Sequence, residues 1–446
     1  RDPMFRFLHA ADIHLDSPLR GLSRYEGAPA EALRNATRRA FENLIELAID
    51  EEVAFLLLAG DLYDGDWKDF NTGIFMSRQI GRLASHGIQV IAVSGNHDAA
   101  SRITKALELP ANMRILSSRG PETVVLEALG VAVHGQSFAN AREERNLAAS
   151  FPAALGGVVN IGLLHTSLDG RAGHADYAPC VLDDLRARGY DYWALGHVHQ
   201  HEVVAEEPWV IFPGCLQGRH ARETGPKGAA LVTVDDEGVV VEVQHRSLDV
   251  VRWIRCLVDV NDAASLSDVL ERVRQAMHAA AEEAEERLLA MRVLLLGECS
   301  VADELSAQRE TFLEQTRAVA AELGDTIWIE KLQLAVRGKR DLDAVLADGG
   351  PLAELLRTVL LEDSEGDEDF EGSEGDGTRD VAGLVPGLRS VLAELVKKLP
   401  VEARSGKDGA HQGLDLDDTE VLRGLLSDAR ELLIGRLLSG PAGGEP

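Results

Sequence analysis

The sequence predicts an α/β protein whose larger part is a layered α/β/β/α domain, and three observations support this prediction. Apolar, strand-like runs end in short polar loops, helix-period segments separate the first of these runs, and a shorter α/β pattern follows later in the chain. Strands that alternate with helices indicate a sheet with parallel members. A chain of 446 residues is also too long for one typical core, so we expect two or three domains.

The elements of the larger domain follow from apolar runs and their spacing. In sheets with parallel strands, ligands bind beyond the carboxyl ends of the strands, and each of five runs here ends within two residues of an aspartate, asparagine or histidine. Three later runs predict an antiparallel portion that closes the domain. The five strands are Phe5–Ala11, Val53–Ala59, Ile88–Ser94, Val158–Leu164 and Tyr190–Leu195; the intervening helices are Leu33–Asp50 and Thr72–His86; the closing strands are Trp209–Phe212, Ala229–Val234 and Val239–His245.

The domain boundaries follow from where these patterns change. We expect the layered domain over residues 4–248, a smaller α/β domain over 249–340 and a C-terminal region over 341–446. Within the last region, residues 361–380 are acidic and interspersed with glycine and serine, so they predict a disordered linker next to short leucine-spaced helices. The smaller domain is predicted as strand 253–260, helix 264–287, strand 291–296, helix 303–323 and strand 327–336.

Composition bears on the compartment and on the class of ligand. The chain has neither an apolar stretch of about eighteen residues nor a signal-peptide pattern, so we expect a cytoplasmic protein without a membrane span. Its four cysteines form no CxxC pair, which argues against a thiolate metal site. The formal net charge of −29 would repel a polyanion such as DNA. That objection is partial, because many acids lie in one carboxy-terminal run and bound cations would reverse the potential at a carboxylate-rich site.

Five short motifs occur in order at the predicted strand ends: ADIH, GDLYD, GNHD, LLHTS and GHVH. One such motif would be a weak signal, whereas five in sequence are specific. Side chains at i and i+2 of an extended chain project together, which predicts two facing pairs, Asp12 with His14 and His197 with His199. Carboxylate, amide and imidazole donors from several loops suit a two-metal centre for phosphate-ester hydrolysis. The candidate metal ligands are Asp12, His14, Asp61, Asn96, His165, His197 and His199.

This order of motifs resembles the calcineurin-like metallophosphoesterase superfamily, whose pattern is DxH, GD, GNH, H and GHxH. The stretches HAADIHLDSPL, AGDLYDGDW, SGNHD, ALGHVHQHE and FPGCLQGRHARETGPKG are more narrowly similar to SbcD-type DNA-repair nucleases, particularly the YhaO-type bacterial branch. The resemblance covers residues 5–227, and the smaller α/β domain falls where that family has a capping domain.

The resemblance implies how the ligands divide between two divalent ions, for which Mn²⁺ is the expected identity. Asp61 would bridge the ions. His97 would remain unligated and would protonate the leaving oxygen or stabilise the pentacoordinate phosphorus, with Asp98 fixing its tautomer. One ion would be held by Asp12, His14, Asp61 and His199, and the other by Asp61, Asn96, His165 and His197.

One position departs from the family pattern. Several nucleases of the family have a histidine three residues after the bridging aspartate, where this chain has Asp64. His97 is then the sole matching transition-state histidine, so the departure bears on exonuclease action more than on phosphoester hydrolysis itself.

The candidate substrate-binding residues lie in the Gly/Pro-rich stretch after GHVH. Arg219, His220 and Lys227 would meet backbone phosphates of a nucleic acid if this stretch lines the site. A solvated basic loop is the competing interpretation, because most loop residues are simply exposed to water.

The leading functional hypothesis is a metal-dependent DNA nuclease, with 3′-to-5′ exonuclease and single-strand endonuclease action in DNA repair. The resemblance implies an SbcC-like coiled-coil ATPase as partner and a homodimer. Two alternatives remain open at this point. A small-nucleotide phosphodiesterase or phosphatase would tolerate the acidic composition better, and a non-catalytic regulatory subunit of an ATPase complex would keep the metal site for stability.

Overall fold

The structure is a computed structural model that describes residues 3–17, 29–64, 70–100, 109–169, 177–285 and 287–338. The C-terminal region predicted over residues 341–446, with its linker at 361–380 and its short helices, lies outside the described residues. Residues up to 260, 265–297 and 305–335 form one compact unit, and residues 261–264, 298–304 and 336–338 belong to a second.

The described residues form fifteen strands, seven α-helices and two short 3₁₀ turns. The strands are β1 (Pro3–Ala10), β2 (Phe55–Ala59), β3 (Gln89–Val93), β4 (Met113–Ile115), β5 (Glu122–Leu126), β6 (Val131–Gly135), β7 (Val159–His165), β8 (Tyr192–Gly196), β9 (Glu202–Glu206), β10 (Trp209–Phe212), β11 (Gly228–Asp235), β12 (Val240–Ser247), β13 (Val251–Asp259), β14 (Leu288–Cys299) and β15 (Ile327–Gly338). The helices are α1 (Ala30–Asp50), α2 (Phe70–Ala84), α3 (Asn96–Ala100), α4 (Leu182–Arg186), α5 (Leu266–Glu283), α6 (Ala302–Ala307) and α7 (Arg309–Leu323), with 3₁₀ turns at Glu127–Leu129 and Ala148–Ser150.

Two six-stranded sheets form the centre of the larger domain. Their orders are β12-β11-β1-β2-β3-β4 and β5-β6-β7-β8-β10-β9. Strands β1 to β4 are parallel, as are β6, β7, β8 and β10. The carboxyl ends of the parallel strands therefore lie along one edge of each sheet, which is where ligand-binding loops are expected.

The core between the sheets is apolar and partly aromatic. Phe7 of β1 stacks on Phe55 of β2 at 4.9 Å and meets the edge of Tyr192 in β8 at 5.3 Å between ring centroids. On its other face, the first sheet packs against α1, which buries Leu44 and other apolar side chains at helical spacing. The second sheet has a separate apolar cluster on its outer face, to which α4 contributes. The predicted α/β fold class, with its α/β/β/α layers, is confirmed.

Two predicted elements differ in the structure. The sequence predicts an antiparallel strand over Trp209–Phe212, but this strand pairs in parallel with β8 and antiparallel only with β9. The helix predicted over 303–323 is divided into α6 and α7, because the backbone of Gln308 leaves the helical region at φ −105° and ψ 24°. The antiparallel pairings of β11 with β1 and β12 are as predicted.

The third sheet has the order β13-β14-β15, with β13 and β14 parallel. Trp253 of β13 and Trp328 of β15 meet edge to face at 6.0 Å, in an apolar cluster that also includes Leu33 of α1 and Ala221. Within the residues that the structure describes, none of the helices has the length and apolar character needed to cross a membrane.

Candidate metal centre

The loops at the strand ends carry the predicted donors in strained backbone conformations. Asp12, His14, Asp61 and His197 have φ angles of 50°, 44°, 53° and 104°. Residues other than glycine rarely adopt this left-handed backbone region, and each residue held there costs about 1–3 kcal/mol of folding free energy. Strain of this kind persists where the surrounding fold enforces it, and it clusters at functional sites.

The first group of donors comes from the β1 and β8 loops. His14 Nε2 lies 3.3 Å from His199 Nε2, and His199 Nε2 lies 3.7 Å from Asp12 Oδ1. One donor atom from each of these three residues lies within 4.8 Å of the other two. The predicted partnership of Asp12 with His14 is therefore present, although the chain there turns sharply and is not extended.

The second group surrounds the β2 and β7 strand ends. His165 Nε2 lies 3.5 Å from Asp61 Oδ2 and 3.1 Å from Asn96 Oδ1, and the His197 ring lies 5.2 Å from the His165 ring between centroids. Asp61 Oδ2 is also 3.9 Å from His14 Nε2. One carboxylate oxygen thus lies near an imidazole of each group.

His197 and His199 do not form the facing pair that the spacing predicts. His199 joins Asp12 and His14, whereas the His197 ring faces His165 and the edge of Tyr177. The left-handed turn at His197 explains the difference, because alternation of side chains holds only along extended backbone.

Three of these imidazoles have their other ring nitrogen occupied by an oxygen acceptor. His14 Nδ1 lies 2.9 Å from Asp64 Oδ1, His199 Nδ1 2.6 Å from Glu223 Oε1, and His165 Nδ1 2.9 Å from the Ala59 carbonyl. When Nδ1 carries the donated proton, Nε2 keeps its lone pair for the centre, as in metal-bound histidines.

The buried carboxylates and imidazoles fit divalent cations. Asp12 Oδ1 is buried and has no hydrogen-bond partner, while Oδ2 accepts from the backbone N–H of His197 at 2.9 Å. Burial raises the pKa of Asp12 to about 7, and an uncompensated buried oxygen is costly unless a cation or donor satisfies it. Burial also lowers the pKa values of His14 and His165 to about 3, so both are neutral lone-pair donors near neutral pH.

His97 lies beside the donors and is 43% exposed. Its Nδ1 is 3.1 Å from Asp64 Oδ1, and its backbone N–H donates to Asp61 Oδ1 at 2.9 Å. Burial alone would lower the pKa of His97, but the hydrogen bond to Asp64 and the charges of Asp61 and Asp64 raise it to about 9. The ring therefore holds a proton at neutral pH and is open to solvent.

Asp98 does not have the role that the sequence suggested, and that prediction is wrong. Its carboxylate accepts from the backbone N–H groups of Leu62, Tyr63 and Gly95 at 2.9, 3.0 and 3.1 Å. Adjacent residues on a helix such as α3 do not face each other, so Asp98 turns away from the His97 ring. Asp98 instead joins two of the ligand loops, and Asp64 is the carboxylate that orients His97.

The three predicted substrate-binding residues differ in their surroundings. Lys227 is 2% exposed and donates through Nζ to the His199 carbonyl at 3.1 Å and to Gln200 Oε1 at 3.2 Å, so the prediction that it meets substrate is wrong. His220 is 57% exposed, with Nε2 3.7 Å from Glu223 Oε1. The Arg219 side chain is 16% exposed and lies between two carboxylates.

Sequence reasoning missed the roles of Asp64 and Glu223. In the sequence Asp64 stands out only as a departure from the family pattern, yet it accepts hydrogen bonds from both His14 and His97. Glu223 lies inside the stretch RHARETGPKG, and its contact with His199 joins loops 24 residues apart. Asp64 ends the motif GDLYD and Glu223 lies downstream of GHVH, but the sequence contains no indication of which acid faces which imidazole.

Gly95 is required by the close approach of two ligand loops. A Cβ at this position would overlap Asp61 Oδ1 and come within 2.9 Å of His165 Cε1. The GNHD motif therefore needs glycine so that the side chains of Asp61 and His165 can both pack against the backbone at this position.

Comparison with known proteins agrees with this geometry. Residues 5–201 match the family of calcineurin-like phosphoesterases, and residues 253–337 match the middle domain of the metallophosphoesterase YhaO. The first of these stretches is thus similar to calcineurin-like phosphoesterases, and the second to the middle domain of YhaO.

Two individual proteins are similar to this chain over part of its length. The chain is 38% identical over 271 residues to a protein of Bacillus subtilis (strain 168) described as uncharacterized metallophosphoesterase YhaO, over 60% of this chain and 66% of that protein. It is 29% identical over 288 residues to the DNA double-strand break repair protein Mre11 of Methanopyrus kandleri, over 56% of this chain and 60% of that protein. The chain thus spans less than two thirds of the length of these relatives. A dimetal phosphatase structure from Danio rerio covers 55% of this chain and 100% of its own at 13% identity, but its TM-score of 0.33 is too low to support an argument.

Proposed function

We propose that this chain is a DNA nuclease that hydrolyses phosphodiester bonds with the help of two divalent cations, expected to be Mn²⁺. The observation that supports this most strongly is the position of Asp61 Oδ2, 3.9 Å from His14 Nε2 and 3.5 Å from His165 Nε2. A carboxylate so placed is suited to bridge two cations. The proposed ligands are Asp12, His14, Asp61 and His199 for one ion, and Asp61, Asn96, His165 and His197 for the other.

The chain's own residues then have distinct parts in the reaction. Two divalent cations, when bound, supply Lewis-acid activation of water and of the phosphate. Asp64 and Glu223 keep the imidazoles of His14 and His199 oriented through Nδ1. His97, protonated and partly exposed, donates its Nε2 proton to the leaving oxygen while Nδ1 stays on Asp64.

DNA is the proposed substrate because the Mre11 relative is described as a DNA double-strand break repair protein. The resemblance further leads us to propose 3′-to-5′ exonuclease and single-strand endonuclease action, an SbcC-like coiled-coil ATPase as partner, a homodimer and a cytoplasmic location. A small-nucleotide phosphodiesterase is the second candidate, and the net charge of −29 is the observation that favours it.

One assay separates these functions. The purified chain, with Mn²⁺, is incubated with end-labelled duplex DNA, hairpin DNA and bis-p-nitrophenyl phosphate, with a chelator as control. The proposal predicts metal-dependent shortening of DNA as well as release of p-nitrophenolate. Release of p-nitrophenolate without any DNA cleavage would favour the small-nucleotide enzyme, and absence of both would favour a non-catalytic subunit.

A further inference from the structure

Arg219 lies between the two carboxylates that orient the imidazoles of one donor group. Its Nη1 is 3.7 Å from Asp64 Oδ1 and its Nη2 is 3.4 Å from Glu223 Oε1. The backbone N–H of Arg219 also donates to Glu223 Oε2 at 2.6 Å, and Nη1 donates to Ser17 Oγ at 3.2 Å. Both terminal nitrogens of this guanidinium thus face protein oxygens in a mostly buried position.

The two acids that Arg219 contacts serve the same donor group. Asp64 holds His14 Nδ1 and Glu223 holds His199 Nδ1, and the Nε2 atoms of these histidines lie 3.3 Å apart. In the other group, His165 Nδ1 has a backbone carbonyl, that of Ala59, as its acceptor. Outer carboxylates therefore distinguish the first group from the second at these positions.

We propose that Arg219 is a positioning residue that holds Asp64 and Glu223 against His14 and His199, and that it thereby sets the cation affinity of the subsite these histidines form with Asp12. This inference rests on the proposed two-cation centre. It predicts a selective effect, because the acceptor of His165 is a backbone carbonyl, whose position does not depend on a side-chain partner.

The physical reason is the cost of two like charges in one mostly buried place. Asp64 is 15% exposed and Glu223 is 7% exposed, and without the guanidinium between them the two carboxylates would repel each other. This repulsion weakens their hold on the two imidazoles, and loss of such outer partners typically costs about 10- to 100-fold in metal affinity. A planar guanidinium reaches two carboxylates at once, whereas a lysine ammonium is a single point charge.

The test is a titration of the full chain with Mn²⁺, in which binding is measured by calorimetry and by electron paramagnetic resonance. Arg219→Gln is expected to weaken one of two binding steps by about 10- to 100-fold and to leave the other unchanged. Glu223→Gln should weaken the same step. Arg186→Gln is the matched control, because Arg186 is an exposed arginine of α4 that pairs with Asp183.

Double variants identify the affected subsite. In a His199→Gln background the first subsite is already disabled, so adding Arg219→Gln should have no further effect on the remaining step. In an Asn96→Ala background, where the other subsite is disabled, adding Arg219→Gln should still weaken the remaining step. This non-additivity distinguishes positioning from a general loss of stability.

Two results would overturn the inference: wild-type affinity for both cations in Arg219→Gln, or equal weakening of both steps in a variant whose thermal unfolding matches that of the wild type. If Arg219→Gln fails to fold, Glu223→Gln still tests the inference through the same titration, and wild-type affinity in that variant would overturn it. The readout does not depend on turnover. A wild-type chain that cleaves no phosphodiester would refute the proposed function, while selective weakening in Arg219→Gln would still support this inference.

Discussion

Replacement of His97 by alanine tests the assignment of a proton donor that is not a metal ligand. The contacts of His97 explain why the cations should survive its loss. Its backbone N–H, which donates to Asp61 Oδ1 at 2.9 Å, is retained in alanine, and Asp64 keeps its contacts with His14 and Arg219. Asp61→Ala is the contrasting variant, because it removes the carboxylate shared by both donor groups.

The magnitude follows from the role that the ring would lose. General acid catalysis contributes about 10²- to 10⁴-fold, which corresponds to about 3–5 kcal/mol of transition-state stabilisation. We expect His97→Ala to lose this factor with an alkoxide leaving group, as in DNA. With p-nitrophenolate the loss should be much smaller, because that oxygen needs no proton to leave.

The assay combines metal content with rates on a series of phosphodiesters that differ only in the leaving group. We expect His97→Ala to bind Mn²⁺ like the wild type and to show a steeper dependence of rate on leaving-group pKa. Asp61→Ala should lose cations and activity together. Loss of the cations in His97→Ala, or equal slowing of good and poor leaving groups, would refute the reasoning.

Three further predictions concern Gly95, Asp64 and the buried His9. Gly95→Ala should weaken Mn²⁺ binding because its methyl group would displace the Asp61 carboxylate. Gly81→Ala in α2 is the control: the added methyl group meets open space, so Mn²⁺ affinity should be unchanged and stability should rise by up to about 1 kcal/mol. An unchanged Mn²⁺ titration in Gly95→Ala would contradict this prediction. Asp64→Asn should both weaken Mn²⁺ binding and slow the hydrolysis of esters with poor leaving groups, because Asp64 contacts the metal-site histidine His14 and the proton donor His97. Wild-type behaviour in both assays would argue against that double role. Burial lowers the pKa of His9 from 6.5 to about 3, so between these pH values a proton binds to the unfolded chain but not to the folded one, and stability falls as pH falls. Between pH 6.5 and pH 5, urea unfolding should show that the free energy of unfolding of His9→Gln falls by about 2 kcal/mol less than that of the wild type. Equal losses in the two proteins would contradict this prediction.

The parts of the fold that follow from local patterns were predictable. Continuous apolar runs bounded by turn residues predicted β1, β2, β3, β7 and β8 to within a few residues, because burial on both faces of a sheet requires strands that are apolar along their length. The partner of a strand depends on distant segments, which is why the parallel pairing of β10 with β8 was missed.

The donor types of the candidate site were predictable, but their local geometry was not. The motifs pointed to Asp12, His14 and His199, which the structure brings within 4.8 Å. The extended-chain spacing gave the wrong partner for His197, because its backbone is left-handed, which no periodic pattern reveals.

The outer acids were the least predictable part of the site. Asp64 ends the motif GDLYD and Asp98 ends GNHD, yet Asp64 faces two imidazoles whereas Asp98 accepts from backbone N–H groups. Lys227 resembles a surface cation in the sequence, yet it is buried on the carbonyl of His199. Both outcomes depend on tertiary packing over long sequence separations.

The most direct test of the two-metal account is to measure bound Mn²⁺ and phosphodiester turnover in the same samples of the reconstituted chain. We predict about two ions per chain, with bis-p-nitrophenyl phosphate hydrolysis rising as the second ion binds. Asp61→Ala should show neither full occupancy nor turnover. A wild-type chain that binds no Mn²⁺ under these conditions, or that hydrolyses the ester equally well with a chelator present, would contradict the account.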